Sequence, residues 1–138
     1  MPVHAVLGGH LDSVSIVARM SDPVGLSMAM TSELRDLAFR QLSLGNLPRA
    51  RDLFAQARER VFQEGWDGFV PAVRVADAAL ASAEGDHRRA AMLVGVAEAA
   101  FVRRGQTPDP DDVVRIAAVR EAAVNALGAA EFARCQGL

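Results

Sequence analysis

The sequence carries one local pattern twice, at positions forty residues apart, and this repeat restricts the fold more than any other feature. Each copy has a glycine, then Asn or Asp, then alanines and larger apolar residues at helical spacing. The copies are Gly45, Asn46, Ala50, Leu53, Phe54 and Ala57, and Gly85, Asp86, Ala90, Leu93, Val94 and Ala97. Such a glycine ends one helix in a left-handed turn, Asn or Asp caps the next helix, and alanine lets two helices approach closely. The pattern predicts two helical hairpins built alike.

Turn signals between apolar, helically spaced segments divide most of the chain into helices. Asp22 and Asp109 each precede a proline, the arrangement typical of a helix start. We expect repeat helices over about 23–64 and 68–104, a capping helix over 110–127 and a tail helix over 129–135. Residues 10–20 form a weaker helix candidate, and residues 1–9 are expected to be loosely ordered. The sequence therefore predicts one all-α domain over 10–138, with six or seven helices and no sheet.

Composition excludes several other classes of protein. Hydrophobic residues make up 51% of the 138 residues and aromatic residues only 5%, which favours a folded helical chain over a disordered chain or a β-sandwich. The net charge of -2 provides no broad basic surface for nucleic acid. The single cysteine, Cys135, cannot form an internal disulfide. No segment has the pattern of a signal peptide or a membrane span, so we expect a cytoplasmic protein without a membrane partner.

The repeated pattern resembles the second half of a tetratricopeptide repeat (TPR). Ala38 and Ala78 stand where TPRs favour a small residue in their first helix, whereas Leu34 and Arg74 occupy a position at which an aromatic residue is usual. A standard TPR spans about 34 residues, so an offset of forty makes this a degenerate pair. The resemblance implies antiparallel helix hairpins stacked in a right-handed superhelix. The alternative is a plain helical bundle whose abundant alanines match the pattern by chance.

The same resemblance implies a ligand groove on the inner face of the superhelix. Carried over by register, the groove positions are Arg35, Phe39, Leu42, Val75, Ala79 and Ser82. An apolar groove beside one arginine would suit an extended or helical peptide that carries an acidic group.

The C-terminal half carries a second resemblance. It follows the pattern GD-x-x-R-A-A-x-L-x-G-A-A-E-A, then a proline-containing loop, an arginine-containing helix and L-G-x-x-x-F. The matching residues are Gly85, Asp86, Arg89, Ala90, Ala91, Leu93, Gly95, Ala97, Glu98, Ala99, Leu127, Gly128 and Phe132. This is similar to the C-terminal end of actinobacterial transcriptional regulators of the LuxR and AfsR types and of their adenylate-cyclase-fused relatives, and it covers about residues 25–138. The ATPase and helix-turn-helix modules of those regulators have no counterpart here, so their activities do not carry over.

Residue types that carry chemistry do not converge on a catalytic or metal site. The histidines His4, His10 and His87 lack the spacing of a helical metal pair, and Cys135 has no nearby histidine. We therefore predict no enzymatic activity, no metal and no cofactor.

Three other groups of residues are assigned structural roles. Asp109, Asp111 and Asp112 fit the capped, positive end of a helix. Acidic residues interleave Arg49, Arg51, Arg58 and Arg60, which predicts a mixed solvated surface without direct nucleic-acid binding. Trp66 and Phe69 form either a plug under the turn between the repeats, which we favour, or an exposed anchor.

The function predicted is that of a non-catalytic interaction or sensor module related to bacterial regulators, with a peptide, a protein or a small ligand on its concave face. The alternative is a small all-helical enzyme or ligand-binding domain with an unrecognised buried polar site. We also expect a homodimer held by apolar residues at the chain ends. Those residues are Leu11, Val14 and Ala18 of the candidate first helix and Phe132 of the tail helix.

Overall fold

Glycine and proline punctuation sets the helix boundaries in the computed structural model, which describes residues 23–137. The helices are α1 Pro23–Ser43, α2 Leu47–Glu64, α3 Val70–Ala83, α4 His87–Arg104, α5 Pro110–Leu127 and α6 Ala129–Cys135, with a 3-10 turn over Asp67–Phe69 before α3. Over this range the chain is helical and contains no strand, which confirms the predicted all-α class. The segments 1–9 and 10–20, with Asp22, lie outside the described residues.

The turns between α1 and α2 and between α3 and α4 have the same backbone geometry. Gly45 and Gly85 both have φ +80°, in the left-handed region that favours glycine. The residues that follow them have φ/ψ of -86°/76° and -89°/75°. In both turns the amide of that residue donates to the carbonyl oxygen five residues back at 2.9 Å. Helices α2 and α4 each have 18 residues. The forty-residue repeat of the sequence is therefore also a repeat of local structure.

Side-chain capping, in contrast, differs between the two turns. Asp86 Oδ1 accepts a hydrogen bond from the amide of Arg89 at 3.2 Å, as predicted for a cap. Asn46 makes no side-chain cap; its Nδ2 donates instead to Oε1 of Gln41 at 3.0 Å. The predicted cap is wrong for Asn46 because its side chain bonds to the helix before the turn.

Helix α3 lies at the centre of the packing and contacts α1, α2, α4 and α5. The two hairpins, α1 with α2 and α3 with α4, have the most extensive contacts. Helix α5 packs on α3 and α4, and α6 packs on α4 and α5. Each later hairpin thus packs on the one before it, with α1, α3 and α5 in contact in that order.

Small residues fill much of the core between these helices. The fully or almost fully buried alanines of the main core include Ala38, Ala50, Ala78, Ala90 and Ala97. Alanine at such positions lets the helix backbones approach closely, which is the role predicted for them. A second, smaller core cluster joins Ala91, Ala123 and Phe132.

Phe132 does not form the uncovered apolar end that the sequence suggested. The tail helix α6 folds back, and its Phe132 ring is buried in the second cluster with residues of α4 and α5. The homodimer contact expected at Phe132 is therefore wrong. The other residues of that expectation, Leu11, Val14 and Ala18, lie outside the described part of the chain.

Gly95, in the middle of α4, gives a test of how closely the chain's C-terminal end approaches this helix. A Cβ atom added at Gly95 would lie 3.4 Å from the carbonyl oxygen of Gln136, an ordinary contact. We expect Gly95→Ala to raise the free energy of unfolding by about 0.5–1 kcal/mol, because alanine is the better helix former. Gly95→Val adds methyl groups that collide with Gln136 and should lower it. Thermal unfolding of both variants checks this, and a stabilising valine would contradict the close approach.

Candidate functional site

A buried ion pair joins α1 to α5 on the side of the molecule where α1, α3 and α5 meet. Arg35 Nη2 donates to both carboxylate oxygens of Asp112, at 2.8 and 3.0 Å, and to the carbonyl oxygen of Ala72 in α3 at 3.3 Å. One turn along α5, Arg115 Nη1 donates to Oδ1 of Asp112 at 2.9 Å. One carboxylate thereby receives two guanidinium groups and ties the three helices together.

The aromatic ring of Phe39 supports both guanidinium groups. The Cζ atom of Arg115 lies 3.6 Å from the ring centre, and that of Arg35 lies 4.8 Å from it. Phe39 in turn meets Phe54 edge to face, with 4.8 Å between the ring centres. These contacts fix the orientation of the arginines through cation–π attraction and packing. We call Arg35, Phe39, Asp112 and Arg115 the Asp112 cluster.

The Asp112 cluster carries a net positive charge and is partly open to solvent. The side chain of Asp112 is 2% exposed, whereas those of Arg35 and Arg115 are 21% and 26% exposed. Within the described residues, neither arginine has a second carboxylate partner. The Nε atom of Arg35 is buried and makes no hydrogen bond. The cluster therefore presents unused N–H donors and one uncompensated positive charge.

The sequence assigned Asp109 to the cap of α5 and Asp111 with Asp112 to the positive end of the helix dipole. Asp112 does lie in the first turn, but its main contact was not predicted. Asp109 precedes the helix without a side-chain cap bond, and Asp111 is exposed in the first turn. Asp112 turns inward instead and is almost fully buried against Arg35. No local pattern could have shown this, because the two residues are 77 positions apart. The i, i+3 spacing of Asp112 and Arg115 was the one signal available.

The six residues assigned to a ligand groove do not share one environment. Phe39, Val75 and Ala79 are buried in the main core, so in this structure they cannot line an open groove. Arg35, Leu42 and Ser82 are partly exposed. Of these, Arg35 belongs to the Asp112 cluster, which also includes Arg115, a residue outside the predicted set. The site open to solvent therefore includes fewer of the predicted residues, and it is more polar than the groove that the TPR resemblance implied.

A small recess opens beside Arg35 where α1, α2 and α3 meet. Thr31, Arg35, Val61 and Ala72 are among the residues that line it, and its volume is about 40 Å³. Small-molecule sites usually enclose about 300–1,000 Å³. The recess has room for a few water molecules or one small side chain, so it does not favour a small organic ligand.

Three of the four arginines of α2 named above bond to other helices. Arg58 donates to Asp77 of α3 at 2.9 Å, and Arg51 Nε donates to Glu84 at 3.0 Å, at the end of α3. Arg60 donates to Ser27 of α1. Arg49 donates to Asp52 within α2 itself. The predicted mixed surface is thus a set of paired charges, and the absence of nucleic-acid binding stays a prediction.

Of the remaining candidate residues, Phe69 lines the recess beside Arg35, and none belongs to the Asp112 cluster. Trp66 is partly buried, as expected of a plug, whereas Phe69 is exposed; the two rings meet edge to face, with 6.0 Å between their centres. Cys135 Sγ donates to Glu131 at 3.7 Å, and His87 begins α4. Over residues 23–137, no three His, Cys, Asp or Glu side chains come together in a group that could hold a metal ion. None of the helices described is both long enough and apolar enough to cross a membrane.

Comparison of the chain with protein-family models, with curated proteins and with solved structures gave no match in any of the three. The resemblances to TPRs and to the ends of actinobacterial regulators therefore rest on the residues quoted for them, and the function is inferred from the geometry of this chain.

Proposed function

We propose that this chain is a non-catalytic helical-repeat interaction module of the TPR-like type, related to the C-terminal region of actinobacterial transcriptional regulators and acting in the cytoplasm. Two observations support a stacked-repeat architecture: the turns at Gly45 and Gly85 match in geometry, and α1, α3 and α5 contact one another in order. In such stacks, function resides on a surface to which several repeats contribute. Here α1, α3 and α5 all contribute to the surroundings of Asp112.

The partner of this surface is a peptide or protein segment with an acidic group. The observation that carries this proposal is the Asp112 cluster, in which two guanidinium groups share one carboxylate. An arginine has five N–H donors, and Arg115 uses one of them on Asp112 while its side chain stays partly exposed. Phe39 and Asp112 already hold the guanidinium in place, so little side-chain freedom is lost when a second carboxylate binds.

Binding is favoured over catalysis by the chemistry of the same residues. Arginine keeps its positive charge and does not exchange protons at physiological pH, so it serves poorly as a general acid or base. The one carboxylate of the cluster is buried between two arginines. The arrangement is suited to holding an anion in a fixed orientation.

Selection of peptides from a random displayed library tests this function. Peptides enriched on the full chain should carry Asp, Glu or a free C-terminal carboxylate. They should bind Arg115→Gln at least about tenfold more weakly, which corresponds to about 1.4 kcal/mol and lies within the range of a hydrogen bond to a charged group. Calorimetric titration of the selected peptides measures the loss.

Arg103→Gln is the matched control, because Arg103 is exposed near the end of α4 and takes no part in the cluster. Its peptide affinity should equal that of the unmodified chain. Enrichment of peptides without acidic groups, or equal affinity for the Arg115 and Arg103 variants, would contradict the proposed site.

A further inference from the structure

One side of α1 is apolar and exposed along its whole length. Leu26, Met30 and Leu37 lie on this side of the helix, and Leu44 follows its last residue, Ser43; they are 38%, 48%, 37% and 73% exposed. Their spacing of four, seven and seven residues places them on one line along the helix. We call them the α1 stripe. It extends about 27 Å at 1.5 Å per residue.

The internal repeat shows what this side of the helix does elsewhere in the same chain. Forty residues after Leu37 and Leu44 lie Asp77 and Glu84, on or just after α3. Both accept hydrogen bonds from arginines of α2, the helix that precedes α3. The equivalent side of α3 is thus a helix-docking surface. On α1, no helix among residues 23–137 covers it.

The chemistry of the α1 stripe differs from that of its equivalent on α3. The acids of α3 are replaced by leucines on α1, so a helix bearing arginines, as α2 does, would not find its partners here. The stripe is instead complementary to itself, because a second copy presents apolar side chains of the same size over the same length.

Two charges beside the stripe set the direction of that second copy. Glu33 and Arg40 are both exposed on α1, and neither pairs with another described residue. They lie seven residues apart on the same side, and Leu37 is next to their midpoint. In an antiparallel pair of α1 helices centred there, Glu33 of each copy faces Arg40 of the other. A parallel pair would place like charges together.

We propose that the chain forms a twofold-symmetric dimer through antiparallel docking of the α1 stripe on the α1 stripe of a second copy. Leu37 lies at the centre, Met30 opposes Leu44, and Glu33 pairs with Arg40 on both sides. Arg35 is two residues from Leu37 and so projects from the opposite side of the helix. The dimer leaves the Asp112 cluster open, and it does not depend on the proposed peptide function.

Sedimentation of the full chain at micromolar concentration tests the dimer. The unmodified chain should have twice the 14.7 kDa mass of one copy. Leu37→Glu should raise the dissociation constant at least about a hundredfold, because two buried leucines are lost and two like charges meet at the centre. Val102→Glu is the control, since Val102 is the most exposed valine of α4 and lies off the stripe. A monomeric unmodified chain, or a Leu37→Glu dimer of unchanged strength, would overturn the proposal.

A charge exchange tests the antiparallel direction with surface substitutions that leave the fold intact. Glu33→Arg and Arg40→Glu should each weaken self-association about fivefold to tenfold, since each places like charges together twice. When the two variants are mixed, every contact is again between opposite charges, so a mixed dimer should form with close to the original affinity. In a parallel pair the single variants would not weaken self-association, because like charges already meet there. Single variants of unchanged strength, or failure of the mixture to form mixed dimers, would therefore overturn the antiparallel arrangement.

Discussion

The variant Asp112→Ala should lower the free energy of unfolding by about 3 kcal/mol. Asp112 is almost fully buried and accepts hydrogen bonds from Arg35 and Arg115. Removing one partner of a buried ion pair costs about 3–5 kcal/mol, because the remaining charge is left uncompensated. The lower end applies here, since the arginines keep some contact with water. Urea denaturation followed by circular dichroism measures the change.

Asp111→Ala is the control for this prediction. Asp111 precedes Asp112 in the first turn of α5, but its side chain is exposed. Its removal should cost only the interaction with the helix dipole, about 0.3–1 kcal/mol. Equal and small losses for the two variants would mean that Asp112 acts merely as a charge at the helix start, which is the role that the sequence suggested.

A double-mutant cycle separates the ion pair from the effect of simple truncation. Asp112 and Arg35 are in direct contact, so the losses for Asp112→Ala and Arg35→Ala should not add. We expect the loss of the double variant to be about 1–3 kcal/mol smaller than the sum of the two single losses. Additive losses would show that Arg35 stabilises the chain through its other contacts, with Phe39 and the Ala72 carbonyl oxygen.

The local parts of this fold were predictable because their signals are local. Gly45 and Gly85 adopt the left-handed conformation that a helix end requires, and the residues that follow begin new helices. A turn of this kind is specified within a few residues. Alanine spacing then shows which side of each helix is buried, and Ala50 and Ala90 lie in the core as expected.

The candidate site was only partly predictable because it depends on contacts between distant residues. Arg35 was assigned to a groove, but its partner Asp112 was assigned to the positive end of a helix dipole. The register of a repeat indicates which side of α1 and α3 faces inward, yet it does not show how closely α5 approaches them. That approach buries Asp112 against Arg35. Phe132 was misassigned for the same reason, since the return of α6 onto α4 has no signature in nearby residues.

The variant Ala90→Leu should lower the free energy of unfolding by about 2–3 kcal/mol. Ala90 is 0% exposed, near the start of α4, within the main core. Leucine adds three carbon atoms where neighbouring helices already touch, and overpacking of this kind costs about 1–3 kcal/mol. The upper part of the range applies because backbone-to-backbone packing through alanine leaves little room to relax. Thermal and urea unfolding measure the loss.

Ala50→Leu extends this test to the internal repeat. Ala50 holds the equivalent position in the first hairpin and is also 0% exposed. If the two hairpins pack alike, both leucine variants should lose a similar amount of stability, whereas Ala118→Leu on the exposed side of α5 should stay within about 0.5 kcal/mol of the unmodified chain. A large loss at one position only would show that the matching turns do not lead to matching packing. Unchanged melting temperatures for both would mean that the repeat register is wrong, because no fully buried alanine at a helix contact can accept a leucine without displacing its neighbours.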